Sequence, residues 1–205
     1  DVDKLTKDEK LNGITGDKTF VPYDKGDKDG NRWYAPTPYY IDWSRENVKF
    51  FKENSGKKGK GMPVVRNLQF YFREGFCWTF TLNEFSEYFK ARIKEKGIFD
   101  VNAMSLFSSI ERVSEKYFVS LFNSYFIFYF KRFFINGTSG FQINDARQLP
   151  IIIPTPEQLK EFEDIFNRAV SIQKQKFEEK ISEEEAEKRL EEIQKELDEK
   201  VLKLY

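Results

Sequence analysis

The sequence predicts an α+β fold, a mixed sheet followed by a C-terminal antiparallel helical hairpin. Three observations carry this. Short β-rich runs fill the first half, and the apolar period changes from two to between three and four near residue 113. Two capping boxes then open helices near the end. The expected division is a domain over residues 1–154 and a hairpin over 155–205.

Residues 1–20 are polar, with turn signals at "LNG" and "TGD", and lead into a first strand. "PYYIDW" predicts a short strand. "MPVVRNLQFYF" predicts a longer one, because Val64, Arg66, Leu68 and Phe70 alternate with Val65, Asn67, Gln69 and Tyr71. Gly75 breaks it and "FCWTFTL" resumes. Between these lies "ENSGKKGKG", a flexible loop with three lysines among three glycines. From about Val113 to Phe134, Tyr117, Phe118, Leu121, Phe122, Phe126 and Phe128 recur at helical spacing. They cover more than one stripe, so this helix is expected to be buried on several sides, part of it against a neighbouring domain. "LPIIIP" predicts a strand closed by prolines. Thr155, Pro156 and Gln158 start a helix that runs to about Lys180, and Ser182 with Glu185 starts another. In the second, Ala186, Leu190, Ile193, Leu197, Val201 and Leu204 form a seam at heptad-like spacing.

Charge is balanced overall, with 34 basic and 34 acidic residues, but not along the chain. From Thr155 onward 10 basic face 15 acidic residues, which leaves 24 against 19 before it. Between Lys18 and Arg73 the ratio is 12 to 6. A basic front of this kind suits a polyanionic partner.

Several chemistries drop out. Histidine is absent, which removes Ser-His and Cys-His catalysis and histidine zinc sites. The single cysteine, Cys77, sits between Phe76 and Trp78 and reads as a core residue. There is no phosphate loop, no glycine-rich dinucleotide fingerprint, no cysteine cluster and no Asn/Asp-Pro-Pro-Tyr tetrapeptide. The stretch "YDKGDKDGNRWY" imitates a calcium loop, yet with Gly30 at position 6 the first ligand position is Lys25 and the twelfth is Pro36. No metal is expected. No run is long and apolar enough for a bilayer, and "DVDKLTKDEK" is no signal peptide. Expected, therefore, is a cytoplasmic, non-catalytic chain that begins inside a longer protein.

Binding remains. "KDGNRWY" sets Lys28, Asn31 and Arg32 beside Trp33 and Tyr34, and Arg and Asn are side chains that make paired contacts with base edges. The "KKGKG" loop offers Lys57, Lys58 and Lys60 to phosphates. Each stretch has a plain alternative, a hairpin turn with a buried Trp-Tyr pair and a solvated loop.

In order and spacing, six segments resemble the TaqI-like specificity domain, the C-terminal target recognition region of adenine-specific DNA methyltransferases, fused restriction-modification enzymes and related phage-defence methyltransferases. They are "PYDKGDKDGNRWY", "PVVRNLQFYFREGFCWT", "IFDVNAMSLF", "LFNSYFIFYF", "FQINDARQLPIIIP" and "VLKLY", running from about Phe20 to Tyr205. Gly26-Asp27 stands where that family usually has Gly-Gly, and Ala35 where a glycine usually follows Trp-Tyr. The resemblance implies a domain that binds duplex DNA and selects the site for a fused adenine methyltransferase. Methyl transfer and its S-adenosylmethionine would belong to that methyltransferase domain, outside these 205 residues, and no cofactor is expected here. Candidate DNA contacts are Lys25, Lys28, Asn31, Arg32, Trp33, Tyr34, Lys57, Lys58, Lys60, Gln142 and Asn144. Of these, Asn31 and Arg32 are the expected base readers, Gln142 and Asn144 weaker ones, and the three loop lysines the phosphate contacts. Arg66 and Asn67 fall in the expected strand. Two other readings stay open: a specificity subunit of a multisubunit restriction enzyme, and a protein-interaction module that docks through the hairpin seam.

Overall fold

The computed structural model describes residues 1–27, 30–80, 87–100 and 103–205. In chain order the regular elements are α1 (Lys7–Asn12), β1 (Phe20–Asp24), β2 (Tyr40–Asp42), α2 (Arg45–Asn54), β3 (Gly75–Thr79), β4 (Arg92–Lys94), β5 (Ile98–Phe99) and β6 (Ala103–Leu106). Helices α3 (Glu115–Phe122), α4 (Tyr125–Phe130), α5 (Ile143–Ala146), α6 (Pro156–Phe177) and α7 (Glu183–Leu204) follow. The fold class is α+β, closed by an antiparallel helical hairpin.

Contacts divide the chain into two compact units that do not follow a cut at residue 154. The first comprises Asp1–Lys25, Thr37–Glu74 and Glu95–Asp100. Its sheet has the order β2-β1-β5, with β1 antiparallel to β2 and parallel to β5. Val21 faces Ile41 across the β1–β2 pair, and one side of the ribbon joins Trp43, Val48, Phe72 and Ile98 in a small core. Thr6 and Glu9 cap α1 reciprocally, and its last turn is tied down by Trp43, whose indole N–H reaches the carbonyls of Glu9 and Lys10.

The second unit comprises Gly26–Pro36, Gly75–Lys94 and Val101–Tyr205. Its antiparallel sheet has the order β4-β3-β6 and packs with α3, α4, α6 and α7 around one apolar core. Aromatic rings fill its centre: Phe89 stacks on Phe141 with centroids 4.0 Å apart, and Trp78 donates its indole N–H to Phe141 O at 2.9 Å. The hairpin shares this core, which is why α6 and α7 do not form a unit of their own. Thr155 and Gln158 form the predicted capping box. Ser182 caps the second helix by accepting from Glu185 N without a return bond to the Glu185 side chain, and Glu179 turns the chain between them with φ +56°. Pairs Lys200–Glu161 and Arg168–Glu196, at 2.7 and 2.6 Å, record the antiparallel register. The seam residues Ala186, Leu190, Ile193, Leu197 and Val201 are buried in the unit, so this stripe is not available to a partner.

Three expected elements differ. "MPVVRNLQFYF" forms no strand: Asn67 adopts a left-handed conformation (φ +57°) and residues Leu68–Phe70 make one 3-10 turn. Val65 exchanges its backbone bonds with the Ser55 hydroxyl instead of a strand, at 2.9 and 3.2 Å. The "LPIIIP" segment also pairs with no strand, and tyrosine hydroxyls take two of its carbonyls, Tyr117 that of Ile152 and Tyr205 that of Pro150. The helix expected over 113–134 breaks at Asn123 and Ser124, then ends in a π-helical turn, Lys131–Ile135.

Candidate nucleic-acid interface

The "NRWY" turn is held from several sides within the second unit. Asp27 caps it, accepting from Asn31 N at 2.7 Å and Asn31 Nδ2 at 2.9 Å, and Asn31 Oδ1 accepts from Lys176. Trp33, at φ +72°, exchanges backbone bonds with Ala91 O and Ile93 N at 2.7 and 3.1 Å. This splices the turn onto the strand edge.

Arg32 is the correction. The residue expected to reach a base edge is 4% exposed, and Trp33 is 0% exposed. Arg32 Nη1 donates to Gln194 Oε1 at 2.5 Å, and Nη2 lies 3.7 Å from Glu187. The guanidinium stands 4.4 Å from the Tyr88 ring centroid, while Gln173 Nε2 donates to the Arg32 carbonyl at 3.1 Å. Both hairpin helices therefore grip this one residue. Tyr34 packs edge-on to Phe177 with Lys174 over its ring, so it too is occupied by the hairpin. The signature is a joint between sheet and hairpin, and its aromatics are not a stacking surface for bases. Lys28 lies outside the described residues. Lys25 is exposed in the first unit, where its ammonium lies over the rings of Tyr23 and Tyr39.

The lysine loop presents the opposite arrangement. It is a closed loop rather than a slack one, since Gly56 N bonds Pro63 O at 3.0 Å and Ser55 clamps Val65. Gly56 and Gly61 take φ +79° and +80°, which only glycine adopts without strain, and they turn the backbone so that side chains splay outward. Lys57, Lys58 and Lys60 are all exposed. Lys57 leans on Asn54, and among the described residues Lys58 and Lys60 pair with no acid. Arg66, on the returning arm of the loop, is exposed as well. Four cations thus stand on a braced frame.

Gln142 and Asn144 lie on the short α5 turn of the second unit, exposed, together with Arg147 and Gln148. Asp145 accepts from Gln142 N at 2.8 Å and fixes the start of the turn. Asn144 Oδ1 accepts from Arg147, which leaves its amide group facing solvent.

Sequence reasoning passed over the residues that hold the second unit's polar interior. Asn123 Oδ1 accepts from Ala91 N at 2.7 Å while its Nδ2 donates to Ala91 O at 2.9 Å, so one side chain substitutes for a strand partner. Gln194 links Arg32, Asn123 O and Asp198, and burial raises the Asp198 carboxyl above its usual range against those bonds. Lys131 is buried, donates to Thr138 O and has its pKa lowered, first by burial. The visible signal was polar residues at seam or stripe positions, Gln194 between Ile193 and Leu197 above all.

Among the described residues no group of three or more His, Cys, Asp or Glu side chains could hold a metal, and no helix is long and apolar enough to cross a membrane. The site and fold define an α+β protein with an exposed, braced lysine loop and a buried arginine joint. No protein-family model matches the chain, and a search of curated proteins finds no match.

Proposed function

We propose that this chain binds duplex DNA and selects the sequence at which an adenine methyltransferase fused to it acts, in restriction-modification or phage defence. The observation that supports this most is the lysine loop, whose cations are held outward without acid partners among the described residues, as a phosphate backbone requires. The order of segments that resembles the TaqI-like specificity domain supports the partner. On this reading the chain is not itself a catalyst; S-adenosylmethionine binds in the methyltransferase domain, and the protein works in the cytoplasm where its DNA lies.

Base reading moves from the "NRWY" turn to α5, where Gln142 and Asn144 carry amide groups suited to adenine edges. The test is a duplex titration with the parent protein at two salt concentrations. Affinity that falls steeply with salt is expected; binding that ignores salt, or no binding at low salt, rejects the reading.

A further inference from the structure

The π-helical turn that follows α4 leaves an aromatic surface uncovered. Asn136 N bonds Lys131 O, five residues back, at 2.8 Å, and Lys131 itself turns inward to Thr138 O. Phe133 and Phe134 then stand 70% and 76% exposed, and Leu202 of α7 is 63% exposed beside them. The rings are ordered in two ribs: Tyr129 stacks with Phe133, centroids 6.0 Å apart and 11° from parallel, and Phe130 with Phe134 at 5.1 Å and 30°. Between the ribs and Leu202 lies a groove of about 330 Å³ in which Asp198 is the one charged lining residue among those described.

We propose that this surface is the interface of a homodimer, closed about a two-fold axis. Credited with ordinary side-chain areas, its exposed rings and Leu202 present on the order of 400–500 Å² of apolar surface, the size of the largest patch on a typical monomer, a patch that is often functional. That is the apolar centre of a standard interface, which covers about 800 Å² on each partner. The surface also carries both halves of the match. Phe133 and Phe134 project, and the groove beside them has room for a ring. Charge follows the same symmetry: Arg132, exposed on the projecting turn, has no acid partner among the described residues. Asp198 waits in the groove, its carboxylate fixed by Tyr125 N at 2.8 Å and Gln194 Nε2 at 3.0 Å. A two-fold operation sets each Arg132 against the other copy's Asp198, the self-complementary pattern that an isologous contact needs. DNA contact plays no part in this pairing.

Sedimentation equilibrium of the purified chain over a micromolar range tests it. The expected mass is twice the 24.5 kDa of one chain at the upper concentrations. Phe133→Asp with Phe134→Asp should return the single-chain mass with far-ultraviolet circular dichroism unchanged, because both rings are exposed. Arg132→Glu, a surface change that cannot unfold the core, should raise the dissociation constant about tenfold or more through like-charge contact with Asp198. A single-chain mass at every concentration overturns the proposal, including the case in which the groove captures only some other protein. So does a dimer that survives the Phe133/Phe134 pair, or one indifferent to Arg132→Glu should that pair fail to fold.

Discussion

The "NRWY" turn, which follows Lys28 and Gly30 in "KDGNRWY", and the "KKGKG" loop each set cations beside glycine in the sequence, and they come to opposite ends. In the turn, Arg32 is drawn into the second unit and held by Gln194, Glu187 and Tyr88. In the loop, Lys57, Lys58 and Lys60 stand in solvent on a frame closed by Gly56 and Ser55. Neighbours decide the difference. Arg32 is followed by Trp33, whose burial pulls the preceding side chain toward the hairpin, and α6 and α7 supply amide partners there. The loop has only lysine and glycine, with no apolar residue to draw it in. A cation's role follows from the apolar residues beside it more than from its own chemistry.

The largest effects should come from breaking the buried side of this contrast. Arg32→Ala leaves Gln194 Oε1 without its donor and opens space under Tyr88, so stability should fall by about 3 kcal/mol. Arg32→Lys should recover only part, since an ammonium cannot keep both the bond and the stacked plane. Asn123→Ala should cost a similar amount, about 2–4 kcal/mol, because the buried Ala91 N–H loses its acceptor while Ala91 O keeps only the bond from Trp33 N. Urea denaturation measures each. Were Arg32→Ala to leave the midpoint unmoved yet abolish site choice, the arginine would be a base reader after all.

The exposed side should answer in the other currency. Changing Lys57, Lys58 and Lys60 together to alanine should leave stability within about 0.5 kcal/mol. The same change should weaken specific and random duplex alike and flatten the salt dependence, by about 0.9 units of slope for each true phosphate contact. An unchanged slope would make the loop a solvated ornament and remove the main support for DNA binding.

How much of this was legible follows from where the information lies. Strands β1, β2 and β3 and the two capped helices were legible because local propensity and capping chemistry specify them. "MPVVRNLQFYF" alternates as a strand does, but a strand needs a neighbour, and Ser55 took the bonds of Val65 instead. Likewise Asn123 breaks a helical pattern because its side chain completes the edge at Ala91, a partner 32 residues away that periodicity cannot show. For the site, the lysine loop was legible from composition, while the fate of Arg32 depended on Gln194, 162 residues distant.

A smaller effect should sharpen the base-reading assignment. Asn144→Ala, on an exposed turn, should leave folding alone and cost roughly 1–3 kcal/mol of discrimination between the preferred site and its one-base variants, with random duplex bound as before. Competition binding with variant duplexes measures it. Equal loss on all duplexes would mean a phosphate contact.

The smallest expected effect is none, and it concerns the acidic residues that precede Asn31. Their spacing imitates a calcium loop, so calcium could in principle order the turn and make its rigidity conditional. The structure supplies a different source of order. Asp27 Oδ2 already accepts from both the backbone and side-chain nitrogen of Asn31, at 2.7 and 2.9 Å. Lys25, at the first ligand position, is a cation lying over Tyr23 and Tyr39, and Pro36 at the twelfth has no carboxylate to give. Calcium at about 1 mM, the weak end of protein calcium sites, should therefore leave the melting temperature where a chelator leaves it. A rise with calcium that vanishes in Asp27→Asn would show that the turn is held by an ion, and the comparison between a braced turn and a braced loop would have to be redrawn with a metal on one side.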